Sequence, residues 1–123
     1  MKLPESLFAA QTIRGLAAAQ DWTEISKYIA MQQPPCSHSV IGELLIDAGN
    51  RELALEAFMK VSNEFKRVEH LLDYDFLAEA IEEMCQEKLC DYYETYLLDK
   101  ARADGLKWVQ GELNRKKEKY NLR

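Results

Sequence analysis

The chain is poor in glycine, proline and cysteine, with 5, 3 and 3 residues among 123. Collagen-like and disordered chains are richer in glycine and proline, and a secreted disulfide framework needs an even number of cysteines. No apolar run approaches the roughly 18 to 20 residues that cross a bilayer. The first residues show no secretory signal. With 47% hydrophobic and 30% charged residues, these shortages predict a globular, cytoplasmic protein that does not insert into a membrane.

Basic residues are scarce in the middle of the chain and concentrated at its end. The net charge is -5, but residues 69–99 contain ten acids (Glu69, Asp73, Asp75, Glu79, Glu82, Glu83, Glu87, Asp91, Glu94, Asp99) against Lys88. This acidity argues against nucleic-acid binding, in which attraction to phosphate dominates. Residues 113–123 hold five bases (Arg115, Lys116, Lys117, Lys119, Arg123) against Glu118. We expect a solvated, frayed helix end there, because cations complement the helix dipole.

Helical apolar spacing recurs along the chain, and no useful segment alternates with the period of a strand. The residues that mark helix boundaries are Pro4, Asp21 with Glu24, Pro34–Pro35, Ser37 or Ser39, Gly49, Asn50, Ser62 or Asn63, Asp73 or Asp75, and Asp104–Gly105. A seventh helix is expected to begin at about Glu87. Side-chain caps, early proline and late glycine explain these boundaries.

The fold class predicted from this pattern is all-α. Helices of similar length follow one another in pairs with short links, which favours an α-solenoid fragment of about 7–8 antiparallel helices built from helical hairpins. Residues 1–112 would form the solenoid and residues 113–123 the tail. A compact helical bundle is the alternative. Most of the large aromatic residues are expected in the core: Phe8, Trp22, Tyr28, Phe58, Phe65 and Trp108.

No motif in the sequence predicts catalysis or a bound cofactor. Cys85 and Cys90 lack a second cysteine or histidine pair at zinc spacing, and His38 and His70 are far apart in sequence. On one helix, positions five apart would not share a face, so the cysteines are expected to fill core gaps. The calcium-loop pattern that begins at Asp73 fails at its sixth and twelfth positions. Cys36 near His38 lacks a third group, so we expect no enzyme and no metal.

A longer register of residues runs from Leu16 to about Ala80. It comprises Leu16-Ala17-Ala18, Asp21-Trp22 with Glu24, Lys27-Tyr28, Pro35, Glu43, Asn50, Ala54 and Val61 to Lys66. This register resembles the C-terminal α-solenoid of the sixteenth class C vacuolar protein sorting subunit and its metazoan paralogue. The likeness fades beyond about Glu82, where acidic and tyrosine-rich helices and the basic tail begin.

The resemblance implies a non-catalytic scaffold, the C-terminal part of a larger one, in the HOPS or CORVET tethering complexes or the paralogue's smaller complex. Its implied partners are an SM-family (SNARE-chaperoning) subunit and other tethering subunits, at the cytoplasmic surface of late endosomes, lysosomes or vacuoles. The partner-binding residues it implies are Leu7, Phe8, Gln11 and Arg14, and the structural positions are Asp21, Trp22, Pro35, Glu43, Asn50 and Ala54. The alternatives are an unrelated helical adaptor, since fold does not fix function, and a small helical enzyme or metal protein.

Overall fold

The computed structural model of the protein describes residues 5–101 and 105–121. These residues form eight α-helices and no strand, which confirms the all-α class. The helices are α1 (Glu5–Ala18), α2 (Trp22–Ala30), α3 (His38–Asp47), α4 (Arg51–Met59), α5 (Glu64–Asp73), α6 (Leu77–Gln86), α7 (Cys90–Lys100) and α8 (Leu106–Lys119). Pro4 and Asp104, two of the predicted boundary residues, lie outside the described residues.

The helices belong to two compact units, unit 1 (Met1–Ser62) and unit 2 (Asn63–Arg123). The expected division was a solenoid over residues 1–112 followed by a tail over residues 113–123. The basic tail is part of unit 2, because α8 carries it. A solenoid over the whole chain stays a prediction.

Side-chain caps begin three helices of unit 1 where the sequence predicts them. Asp21, Ser37 and Asn50 each accept a hydrogen bond from the backbone N–H three residues further on, at 3.3, 3.3 and 3.1 Å. Gly49 has a left-handed φ of 85° between α3 and α4, as expected of a residue that follows a helix. Local sequence therefore sets these boundaries.

The core of unit 1 is apolar and closely packed. α1 packs on α2 and α3, while α4 packs on α3 and α2. Five of its large side chains are essentially inaccessible to solvent: Ile13, Ile25, Ile41, Leu45 and Phe58. The Phe58 ring lies against Gly42 so closely that a methyl group there would overlap it. Glycine in the middle of α3 is therefore explained by packing.

Unit 2 is arranged around α6, which contacts α5, α7 and α8. Arg67, early in α5, bonds to Glu83 at 3.0 Å and pairs with Glu87 at 3.5 Å, near the end of α6. The two helices therefore run antiparallel. Lys117 and Glu94 join α8 to α7 at 3.0 Å, and Lys100 and Trp108 line one cavity at the other end of the same pair. Consecutive helices of this unit thus form antiparallel hairpins.

Two helix starts in unit 2 differ from the sequence prediction. Asp73 is the last residue of α5, and Asp75 has a left-handed φ of 64°. Neither caps α6; its N-cap residue is Phe76, which makes no side-chain cap hydrogen bond. α7 begins at Cys90 rather than near Glu87, because Lys88 at φ 59° reverses the chain. Asn63, by contrast, caps α5 as expected.

Within the described residues, the basic tail packs on α6, where a solvated, frayed helix end was expected. α8 continues to Lys119. The Glu82 carboxylate of α6 is contacted by three groups of the tail: Lys116 Nζ at 2.6 Å, Lys119 Nζ at 3.1 Å and the Tyr120 hydroxyl at 2.6 Å. Bonds from Lys116 and Tyr120 lower the pKa of Glu82 to about 2. One acidic residue of the middle of the chain, Glu82, therefore binds the tail to α6.

The expectation that most large aromatics lie in the core is wrong. Phe58 is fully buried, and Trp22 and Tyr28 are half-buried. Phe8, Phe65 and Trp108 are exposed. Their helices bury smaller neighbouring residues instead. The apolar pattern of the sequence alone therefore did not identify which apolar residues of each helix face the core.

Candidate functional site

The residues predicted to bind a partner come together on one side of α1. One side of α1 is buried against the other helices of unit 1 through Ala9, Ala10, Ile13 and Ala17. The opposite side has helical spacing and is exposed: Leu7, Phe8, Gln11, Arg14, Gly15 and Ala18. We call these six residues the α1 face. The burial pattern of α1 therefore presents all four predicted residues to solvent together.

The α1 face combines apolar anchors with little charge. Leu7 is 42% exposed and Phe8 is 63% exposed. Arg14 is the one charged residue between positions 7 and 18. Large apolar side chains that stay in water and lie beside a cation suit a protein interface, where buried anchors supply most of the binding energy.

The α1 face has unoccupied space above Gly15. A methyl group built on Gly15 would have no neighbour within 4 Å. Intramolecular packing does not explain this glycine, in contrast with Gly42. A larger residue at position 15 would project from the face without disturbing unit 1.

The other predicted family positions hold the fold together or lie on its surface. Asp21 and Asn50 cap helices, and Ala54 is fully buried in α4. Trp22 and Pro35 are half-buried, and Glu43 is exposed on α3. The Asp21–Glu24 pattern forms half a capping box, because the Glu24 carboxylate bonds to Lys27 at 2.7 Å.

The cysteines are all free thiols in buried positions. Burial raises the pKa of Cys36. Burial is also the main reason that the pKa of Cys85 is raised to about 12, and the hydrogen bond with Cys90 adds to it. A thiol with so high a pKa is a poor nucleophile, because the thiolate is the reactive form. His38 Nε2 lies 3.0 Å from the Ile29 carbonyl oxygen, to which it donates. This bond ties α3 to α2.

The sequence reasoning missed that Cys85 and Cys90 meet. Their sulfur atoms are 3.5 Å apart. The two residues lie on different helices, so the rule for positions five apart on one helix does not apply. Within residues 7–101 and 105–121, no group of three histidine, cysteine or acidic side chains could hold a metal ion. None of the helices in the described part of the chain is long and apolar enough to cross a membrane.

A row of contacts between α5 and α7 was also missed. Phe65 meets Tyr92 edge-on with ring centroids 5.5 Å apart. The Tyr93 hydroxyl donates to Glu69 at 3.2 Å, and the Tyr96 hydroxyl donates to Asp73 at 2.7 Å. The signal in the sequence was the shared spacing of four residues in Glu69–Asp73 and Tyr92–Tyr96, which places each pair on one helix face.

No protein-family profile, curated protein or solved structure matches this chain.

Proposed function

We propose that the chain is a non-catalytic scaffold segment of an endolysosomal tethering complex, which binds an SM-family subunit through the α1 face. The single observation that carries this proposal is the exposure of Leu7, Phe8, Gln11 and Arg14 on one side of a helix whose other side is buried. The identity of the partner rests on the sequence register from Leu16 to about Ala80. Neighbouring subunits of the complex would contact other helix faces.

The chemistry of the α1 face suits this role. Burial of the Phe8 and Leu7 side chains would supply about 1.5–3 kcal/mol each for full transfer from water. Arg14 and Gln11 would form the polar edge, where charge affects the rate and specificity of association more than its strength. Such a segment would work at the cytoplasmic surface of late endosomes, lysosomes or vacuoles as a peripheral component.

Substitution of Gly15 tests the face without harming the fold. We expect Gly15→Gln to leave unit 1 folded, because the new side chain enters open space, and glutamine favours helix more than glycine does. The same side chain would obstruct a partner seated on the α1 face. We expect binding to fall at least tenfold, since a misfit in the centre of an interface breaks close packing. Gly111→Gln on α8, which is equally open, is the matched control.

The measurement is a pull-down and a titration with the SM-family subunit from the same source, with helicity checked by circular dichroism. Gln11→Glu and Arg14→Glu should weaken binding in the same assay. Folded Gly15→Gln protein that binds as well as wild type would remove the α1 face from the interface. Lack of binding by the wild-type chain would refute the partner and favour an unrelated helical adaptor.

A further inference from the structure

We propose that α5 and α7 form a second docking surface in unit 2, which takes an arginine-bearing segment of a partner protein. The surface consists of Phe65, Tyr92, Tyr93 and Tyr96 with Glu69, Asp73 and Asp75, and we call it the acidic aromatic patch. It shares no residue with the α1 face, so it can be tested independently of the function proposed above.

The rings of the patch are exposed but held in place. Tyr92 is 70% exposed, Tyr96 is 43% exposed and Phe65 is 37% exposed. Phe65 fixes Tyr92 through an edge contact, with an interplanar angle of 85°. Asp73 fixes Tyr96 through its hydroxyl at 2.7 Å. A partner would therefore meet ordered rings, which reduces the conformational entropy lost on binding.

The electrostatics of the patch favour a cation. The faces of aromatic rings are negative and attract ammonium and guanidinium groups. Asp73 accepts a hydrogen bond from the Tyr96 hydroxyl at 2.7 Å, and Glu69 accepts one from the Tyr93 hydroxyl at 3.2 Å, so two carboxylates lie directly beside the rings. The structure already contains a cation there, because Lys100 Nζ lies 5.5 Å from the centre of the Tyr96 ring.

Arginine suits this surface better than lysine. A guanidinium group is planar, stacks on aromatic rings and can bond to a carboxylate through two N–H groups at once. Glu69 and Asp73 lie four residues, about one turn, apart on α5. Tyr92 and Tyr96 have the same spacing on α7. An arginine from a partner would displace Lys100 from Tyr96.

A cavity beside the patch favours a peptide over a free cation. Its volume is about 310 Å³, and its walls include Leu77, Trp108 and Val109. Asp75 and Lys100 line this cavity as well, so it is continuous with the patch. A segment with an apolar side chain near its arginine would fill both places.

The test uses a fluorescent peptide that carries two arginines and a leucine, titrated with the full chain by anisotropy. We expect saturable binding, and a loss of at least tenfold when citrulline, a neutral isostere, replaces both arginines. Tyr92→Ala should weaken binding about three- to tenfold, as loss of a cation–π contact does. Tyr92→Phe, which keeps the ring, should bind as wild type. Because Tyr92 is largely exposed, its truncation leaves the core of unit 2 intact.

A second pair of variants separates a local site from general attraction to an acidic protein. Asp73→Asn and Asp47→Asn remove the same charge, but Asp47 lies on α3 in unit 1. We expect only Asp73→Asn to weaken binding, about three- to tenfold, while its amide oxygen still accepts from Tyr96. Equal losses in the two variants, unchanged binding by Tyr92→Ala, or no saturable binding by wild type would each overturn the proposal. None of these outcomes bears on the SM-family titration.

Discussion

Units 1 and 2 reach the same all-helical class by different means. In unit 1, side-chain caps at Asp21, Ser37 and Asn50 start the helices, and a fully buried apolar core joins them. In unit 2, α6, α7 and α8 begin without a side-chain cap hydrogen bond. Buried apolar side chains such as Ile81, Met84 and Leu97 join these helices as well. Polar contacts between helices are added to that core, such as Arg67 with Glu83 and Glu82 with the tail. Local side-chain caps therefore mark the helix starts of unit 1, whereas α6, α7 and α8 of unit 2 begin without such a local signal and add ion pairs between helices to their apolar core.

Removal of the largest core side chain of unit 1 should have the greatest effect. We expect Phe58→Ala to lower the free energy of unfolding by about 3–5 kcal/mol, because it leaves a cavity in a packed interior. Phe65→Ala in unit 2 is the control; its ring is 37% exposed, so a loss of about 1 kcal/mol is expected. Chemical denaturation of both variants gives the comparison. Similar losses would contradict the packing described for unit 1.

A pair of glycines distinguishes packing from helix propensity. Gly42→Ala should lower the free energy of unfolding by about 1–3 kcal/mol, because the added methyl group displaces the buried Phe58 ring. Gly111→Ala, on the open side of α8, should instead raise it by about 0.5–1 kcal/mol. Thermal melts of the two variants should move in opposite directions. A stabilised Gly42→Ala variant would show that the contact with Phe58 is loose.

Acid should weaken the contact between Glu82 and the tail. The pKa of Glu82 in the folded chain, about 2, is below the ordinary value of 4.5. Its contribution to stability is therefore complete above about pH 4.5 and is lost as the pH falls towards 2. We expect about 0.5–1 kcal/mol, since the carboxylate keeps part of its surface in water.

Glu82→Gln should flatten this part of the pH dependence. Unfolding measured between pH 6 and pH 3 would show the difference from wild type. Glu52→Gln, which removes an exposed carboxylate of α4 in unit 1, is the control variant for the loss of one charge. An identical slope in the Glu82→Gln variant would mean that the tail does not depend on this carboxylate.

The comparison between units also explains how much of the fold the sequence predicted. The starts of α2, α3 and α4 were predictable because a cap acts on a backbone group only three residues away. The starts of α6 and α7 were not, since Asp75 and Lys88 adopt left-handed conformations that few side chains favour. The contact between the tail and Glu82 could not be predicted, because Glu82 lies more than thirty residues earlier in the chain.

The candidate site follows the same division. Leu7, Phe8, Gln11 and Arg14, which the family resemblance implied, share one face because they lie on a single helix at helical spacing. The acidic aromatic patch could not be predicted, since it requires α5 and α7 to lie side by side in a particular register. Helical periodicity gives the face of each helix, but it does not give the neighbour of that face.

The buried thiols give each unit its own chemical reporter. Cys36 belongs to unit 1, and Cys85 with Cys90 belongs to unit 2. An alkylating reagent reaches a protected cysteine when the surrounding structure opens. Mass spectrometry of the labelled chain would then distinguish the addition of one group from the addition of two. The native protein thus carries the means to reveal which half opens first, without an engineered probe.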